Sequence, residues 1–189
     1  MIFEAVPVAG AFLVRMERRE DERGYFARLW CREEFAAQGI EVDMVQASVS
    51  HNRVAGTVRG LHYSDLPSRE AKLVRCARGR VFDVIVDLRP DSPSYLRHHA
   101  VLLDAEAGDA LYVPPQVAHG FQTLQADTDV HYMMSDFYRP ELARGVRYDD
   151  PAFGIVWPLP VSVIAARDRD YPDFRSPPNV RELRPDAVR

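Results

Sequence analysis

From Leu73 to Met134 the chain is a succession of short runs in which apolar and polar side chains alternate, each closed by Gly, Pro or Asp. The clearest run is Val81–Leu88. Phe82, Val84, Val86 and Leu88 fall on one face of an extended chain, and Val81, Asp83, Ile85 and Asp87 fall on the other, a period of two. Lys72–Cys76 leads into it through a turn at Arg78-Gly79-Arg80. Arg89-Pro90-Asp91-Ser92-Pro93 ends it, and Tyr95–Leu103 reads as the next strand. Gly108-Asp109 turns the chain into Ala110–Val113, which Pro114-Pro115 stops; Phe121–Leu124 and Val130–Met133 follow. Strands this short, spaced about 8–12 residues apart with turns between, predict an antiparallel sandwich or barrel. A helix is predicted over Cys31–Gln38, where Arg-Glu-Glu leads into Phe-Ala-Ala and Gly39 supplies a stop. The stretch from Asp168 to Arg189, rich in Pro, Arg and Asp, is expected to wrap the surface. The expected architecture is all-β: an antiparallel barrel with small helical decorations, in one domain spanning residues 1–189.

Composition narrows the class. In 189 residues, 24 Lys and Arg stand against 28 Asp and Glu, a net charge of −4 with the signs interspersed. That balance argues against nucleic acid or an anionic membrane as a partner recognised by bulk charge. Cys31 and Cys76 are too few for a disulfide framework, which points to a reducing, cytoplasmic setting. No apolar run approaches the ~20 residues of a membrane span, and the opening residues lack the basic-then-apolar order of a signal peptide.

Four places carry candidate chemistry. Arg59-Gly60-Leu61-His62-Tyr63 crowds a guanidinium, an imidazole and a phenol around one Gly. His is the commonest general base and Arg can hold an anion, although an isolated His is more often a hydrogen-bonded structural residue. Lys72 is the only lysine in the chain. A compact ammonium suits developing negative charge, and the alternative is compositional bias toward Arg. Gly108, Pro114 and His119 have the spacing of the second motif of cupin barrels: five residues separate the Gly from the Pro, and the His comes five after the Pro. A strand corner whose His bonds backbone would look the same. His131 and Tyr132 are adjacent, so only one can face a barrel interior. There is no Gly-rich phosphate loop, no Gly-x-Ser-x-Gly elbow and no Cys-x-x-Cys. Ser64 stands where a metal-binding cupin has its second His, and Glu70 is off the expected spacing, so no catalytic metal is expected.

Read in order, Asp21-Glu-Arg23-Gly24-Tyr-Phe26, Gln46, Arg59-Gly-Leu-His62-Tyr63, Lys72-Leu-Val-Arg75, Val81–Leu88, Ala118-His119-Gly-Phe121, Tyr132, Tyr138, Arg144-Gly145, Asp149-Asp-Pro151 and Trp157-Pro158 form a specific set. The set resembles the dTDP-4-dehydrorhamnose 3,5-epimerase family of nucleotide-sugar epimerases, from about Phe3 to Pro172. The resemblance implies a cupin-like jelly roll with its core at about 45–140 and residues 141–189 packed on it. It implies no metal and no cofactor, a dTDP-sugar substrate, and a homodimer that exchanges N-terminal strands. It also implies a reaction: a base takes the proton beside a 4-keto group, an enolate forms, and a proton returns on the opposite face. On that likeness His62 is the base, Tyr132 the acid, Lys72 the cation near the keto oxygen, and Asp168 the carboxylate that orients the His. Arg23, Phe26, Arg28, Gln46, Ser48, Arg59, His119, Tyr138 and Arg167 take substrate-binding positions, with arginines suited to the diphosphate.

Four residues depart from the family pattern. Arg28 and Ala143 stand where Glu is common, Ser48 replaces an Asn, and Ser64 replaces a Gln. All four bear on substrate more than on the acid and base, so inversion at both C3 and C5, or at one of them, stays open. A metal-dependent cupin enzyme and a sugar-nucleotide-binding module without activity are the other readings.

Overall fold

A computed structural model describes residues 1–175. In chain order the strands are β1 (Ile2–Ala5), β2 (Phe12–Arg15), β3 (Arg18–Asp21), β4 (Gly24–Ala27), β5 (Gln46–Asn52), β6 (Thr57–Ser64), β7 (Lys72–Arg78), β8 (Arg80–Asp87), β9 (His98–Asp104), β10 (Ala110–Val113), β11 (Val117–Thr123), β12 (Thr128–Met134), β13 (Ala143–Gly145) and β14 (Val163–Ile164). Helix α1 (Arg32–Ala36) lies between β4 and β5, and α2 (Ala166–Arg169) follows β14. The first sheet runs β1-β2-β10-β7-β12-β5 and the second β13-β6-β11-β8-β9. Every neighbouring pair along these two orders is antiparallel. β14 joins β6 in parallel, and β3–β4 forms a separate hairpin. The all-β class expected from the pattern is the one observed, in the cupin-like form that the resemblance implies.

The period of two decides the layers. Val74 and Cys76 of β7 and Val130 of β12 meet Val81 and Ile85 of β8 and Phe121 of β11 in a core between the two sheets. The other face of β8, Val84 and Val86 with Phe82 and Leu88 at its margin, packs under Val146, Phe153 and Trp157 of the chain after β13. Leu73 and Tyr112 face outward from the first sheet and are capped by Phe35 of α1. The Phe35 ring centroid lies 4.2 Å from that of Trp30, the two rings tilted by 50°, and Phe35 is edge-on to Phe3 and Tyr112. Gly39, at φ +75°, ends that helix: its N–H bonds the Ala36 carbonyl, and Ile40 N–H reaches back to Phe35.

Several boundaries differ from expectation. The ninth strand opens at His98, not Tyr95. The Asp87 carboxylate gathers Arg89, Ser92 and Ser94, winding 89–97 into turns in which Leu96 takes φ +61°. β11 begins at Val117 rather than Phe121, because the turn is confined to Pro114–Gln116, so His119 lies on a strand. The sheets also reach beyond 45–140: β1 and β2 extend the first, and β13 and β14 the second. The stretch from Asp168 does not simply wrap the surface, since Asp168 lies in α2 and is buried; residues 176–189 fall outside the described residues.

Candidate active site

The site lies where β6 pairs with β11. His119 stands opposite His62 and Phe121 opposite Arg59, with a bulge between. Glycines make the approach possible. A Cβ on Gly60, which has φ +118°, would lie 2.6 Å from the Gly120 Cα, and one on Gly120 would lie 2.6 Å from the Arg59 carbonyl oxygen. Two imidazoles are thereby brought to one end of the barrel interior.

Asp168 reaches that end from 106 residues away through β14, whose parallel pairing with Thr57–Val58 runs straight into α2. Its Oδ1 is 2.7 Å from His62 Nε2, and its Oδ2 accepts the Gly60 N–H at 3.1 Å. Burial works against its charge, but the bonds from His62 and Gly60 with the nearby Arg167 outweigh it, and the carboxyl is held below its ordinary value. An ionised carboxylate can only accept, so Nε2 carries a proton and a neutral His62 keeps its lone pair on Nδ1. Arg167 lies alongside, its Nη2 3.2 Å from His62 Nε2. Tyr171 closes over Gly145, the residue opposite His62 in β13; a side chain at Gly145 would strike the Tyr171 ring at 2.3 Å.

Lys72 opens β7 on its interior face, only 13% exposed, and its Nζ donates to the His62 carbonyl at 3.1 Å. Burial pulls its ammonium below the usual lysine value, while Glu70 pulls it up. Tyr132, two residues on from core Val130, turns inward beside His119, ring centroids 5.8 Å apart and edge-on. Burial pushes its phenol well above the usual value, Asp83 adds to that and Arg59 opposes it, so Tyr132 carries its proton at neutral pH. His119, 3% exposed, gives Nε2 to both oxygens of the fully buried Asp83, at 3.0 and 2.9 Å. Arg59 is braced by its Nε on Asn52 Oδ1 at 2.7 Å.

Seven of the expected residues therefore share one cavity of about 330 Å³: Arg59, His62, Lys72, His119, Tyr132, Arg167 and Asp168, with Ser50 and Ala165 completing its wall. The others lie elsewhere. Ser48 stands opposite Tyr132 on the same face of β5 as Ser50 but is not among the residues lining the cavity; it borders a second hollow, of about 450 Å³, whose other walls include Ala47, Val49, Leu73 and Met133 of the first sheet's outer side. Gln46 Oε1 accepts the Tyr138 N–H at 2.7 Å, tying those two together, with the Tyr138 ring exposed. Arg23 pairs with Asp21 on the β3–β4 hairpin, Phe26 is 74% exposed there, and Arg28 pairs with Glu34. Asp83, Asn52, Ser50 and Glu70 were not singled out for this site. Asp83 had a signal, a carboxylate alternating with Val81 and Ile85 on a strand with no polar side elsewhere to receive it. Among the described residues no group of three or more His, Cys, Asp or Glu is placed to hold a metal ion.

The arrangement combines an oriented imidazole, a protonated phenol, a buried cation and two guanidiniums around one cavity, the parts needed to remove a proton beside a carbonyl and return another. Comparison with known proteins points the same way. Residues 5–176 match the family model described as dTDP-4-dehydrorhamnose 3,5-epimerase. A protein of that name from Sinorhizobium fredii is 40% identical over 175 residues, covering 92% of this chain and 90% of the relative. A dTDP-4-dehydrorhamnose 3-epimerase from Streptomyces niveus is 37% identical over 164 residues, 86% and 79% of the two chains. The crystal structure of the 3,5-epimerase from Elizabethkingia anophelis superposes with a TM-score of 0.89 at 32% identity, over 92% of this chain and 96% of that one.

Proposed function

The chain belongs to the dTDP-4-dehydrorhamnose 3,5-epimerase family, and from that premise we propose that its cavity inverts C3 and C5 of a dTDP-4-keto-6-deoxyhexose without a cofactor. The observation that carries the reading is that His62 and Tyr132 line the same cavity as Lys72, with Asp168 on the far nitrogen of His62. His62 Nδ1 takes the proton from the carbon beside the ketone. The C–H electrons become a C=C bond and the carbonyl pair moves onto oxygen, where the Lys72 ammonium meets the new charge. Asp168 stabilises the imidazolium, as the carboxylate of a Ser-His-Asp triad does. Tyr132 then gives its proton to the opposite face, the ketone re-forms, and solvent exchange restores both groups. The same cycle serves the second carbon. Arg59 and Arg167 hold the diphosphate.

The test is proton NMR of dTDP-4-keto-6-deoxyglucose with the protein in deuterated water. Deuterium and inversion at both carbons is the expected result, and no exchange would overturn the assignment. A second reading rests on the Streptomyces niveus 3-epimerase, as similar at 37% as several 3,5-epimerases. On that reading deuterium enters at C3 alone.

The working unit in this proposal is one domain acting in the cytoplasm as a homodimer whose N-terminal strands cross to the partner. The free thiols of Cys31 and Cys76 suit the location. Support for the dimer is the outer hollow of the first sheet, walled by Leu29, Ala47, Val49, Leu73 and Met133. The exposed β3–β4 hairpin then brings Arg23, Phe26 and Arg28 to the partner's cavity.

A further inference from the structure

One carboxylate beside the site has no part in the proton transfers. Glu70 precedes β7 by two residues and is nearly buried, its side chain 12% exposed. Its Oε1 lies 3.5 Å from Lys72 Nζ and accepts the Ser64 hydroxyl at 3.2 Å. Its backbone N–H is fixed in turn by Ser68 Oγ, which donates to Asp136. Lys72 Nζ completes its contacts on the His62 carbonyl at 3.1 Å. Ser64, Glu70, Lys72 and the backbone of His62 thus form a continuous chain from the end of β6 to the cavity floor.

We propose that Glu70 is a positioning residue for Lys72, its carboxylate serving as the counter-charge that holds the ammonium at the cavity floor. The inference deepens the epimerase reading and rests on it for the role of the lysine. A desolvated ammonium without a counter-charge is costly, and a lysine so placed neutralises rather than remain charged. The ionisable groups sharing its cavity are Arg59 and His62 on β6, His119 on β11, Tyr132 on β12, and Arg167 and Asp168 on α2, with Asp83 behind His119. β10, on the other side of β7, sets apolar Val113 opposite Lys72. Among the described residues Glu70 is the carboxylate within ion-pair distance of Nζ. The balance of causes agrees: burial lowers the lysine, and Glu70 raises it both as a charge and as a hydrogen-bond acceptor.

The chain makes the test direct, because Lys72 is its only lysine. Labelling with ε-13C-lysine gives a single ε-methylene signal whose titration reports on this group and needs no substrate. In Glu70→Gln the midpoint moves to lower pH by about one pH unit or more, the size an opposite charge in contact ordinarily produces. In Ser64→Ala it moves the same way and less. The alkaline limb of kcat in Glu70→Gln follows the lysine midpoint down, with KM within about twofold, because uniform binding is untouched. A Glu70→Gln midpoint equal to wild type overturns the proposal, as does a shifted midpoint with an unmoved kcat profile. Should the wild-type protein fail to epimerise while the titration shifts, the epimerase reading fails and the Glu70–Lys72 coupling stands.

Discussion

A histidine becomes a base at a chosen atom through whatever holds its other nitrogen. In the proposed mechanism Asp168 does this for His62: an acceptor 2.7 Å from Nε2 admits one neutral tautomer and leaves the lone pair on Nδ1. Asp168→Asn keeps the shape, and an amide oxygen can still accept the Gly60 N–H. The amide can also present its NH2 to Nε2, which favours the wrong tautomer and no longer supports an imidazolium. Steady-state kinetics on this variant should show kcat lowered by about 10²–10⁴, as for the equivalent change in a Ser-His-Asp triad, with KM changed far less and an unaltered melting temperature. A kcat within a few-fold of wild type would remove Asp168 from the mechanism. This is also where a sequence is least informative. His62, Lys72 and His119 stand out by residue type, but nothing in the spacing joins Asp168 to His62; only the family resemblance linked them. Asp83 and Glu70 went unassigned for the same reason: their partners are made by strand register and by a turn.

Strands were legible in proportion to the apolar faces they bury. β8 could be read completely because both its faces are covered, one by the opposite sheet and one by the chain after β13. β5 could not. Its alternate positions Gln46, Ser48, Ser50 and Asn52 are polar, and the intervening Val49 is exposed, so no apolar period exists to detect. Polar residues on that strand are what a cavity wall requires, and the demand that builds the site hides the element that carries it. At the far end of β8, Asp87 locks the loop into β9 and has a consequence for stability. Burial raises its pKa, yet Arg89, Ser92, Ser94 and the Arg89 N–H together bring the carboxyl down from 3.8 to about 2. Its folded value lies below its unfolded one, so its stabilisation is complete above about pH 4 and disappears as the pH falls toward 2. That interval corresponds to about 2 kcal/mol. Denaturant unfolding of Asp87→Asn should show about that deficit at pH 7, with the gap to wild type closing between pH 4 and pH 2. A deficit independent of pH would mean the loss is one of packing and not of charge.

At the scale of the whole molecule, one cavity of the single chain holds the proposed acid, base and cation, Tyr132, His62 and Lys72, while several expected substrate contacts lie outside it. Arg23 and Phe26 sit on an exposed hairpin, and the hollow beneath the first sheet lies on the side away from His62. The dimer proposed above would account for both, with a second copy of the chain covering the apolar face and the hairpins crossing. Val49, 61% exposed on that face between Ala47 and His51, is the place to test it, because it supports no part of the core between the sheets. Val49→Asp puts a charge into the proposed contact, a change a well-packed interface does not accommodate. By sedimentation velocity the wild-type protein should be a dimer and Val49→Asp a monomer with its unfolding transition intact. The monomer retains His62, Asp168, Lys72 and Tyr132 in place, so the exchange chemistry should survive at saturating substrate. KM should rise by about tenfold or more, because the contacts from the hairpin would be lost from ground state and transition state alike. A monomeric wild-type protein with full affinity would show that each chain binds its substrate alone. In that case Arg23, Phe26 and Arg28 would have no part in the site.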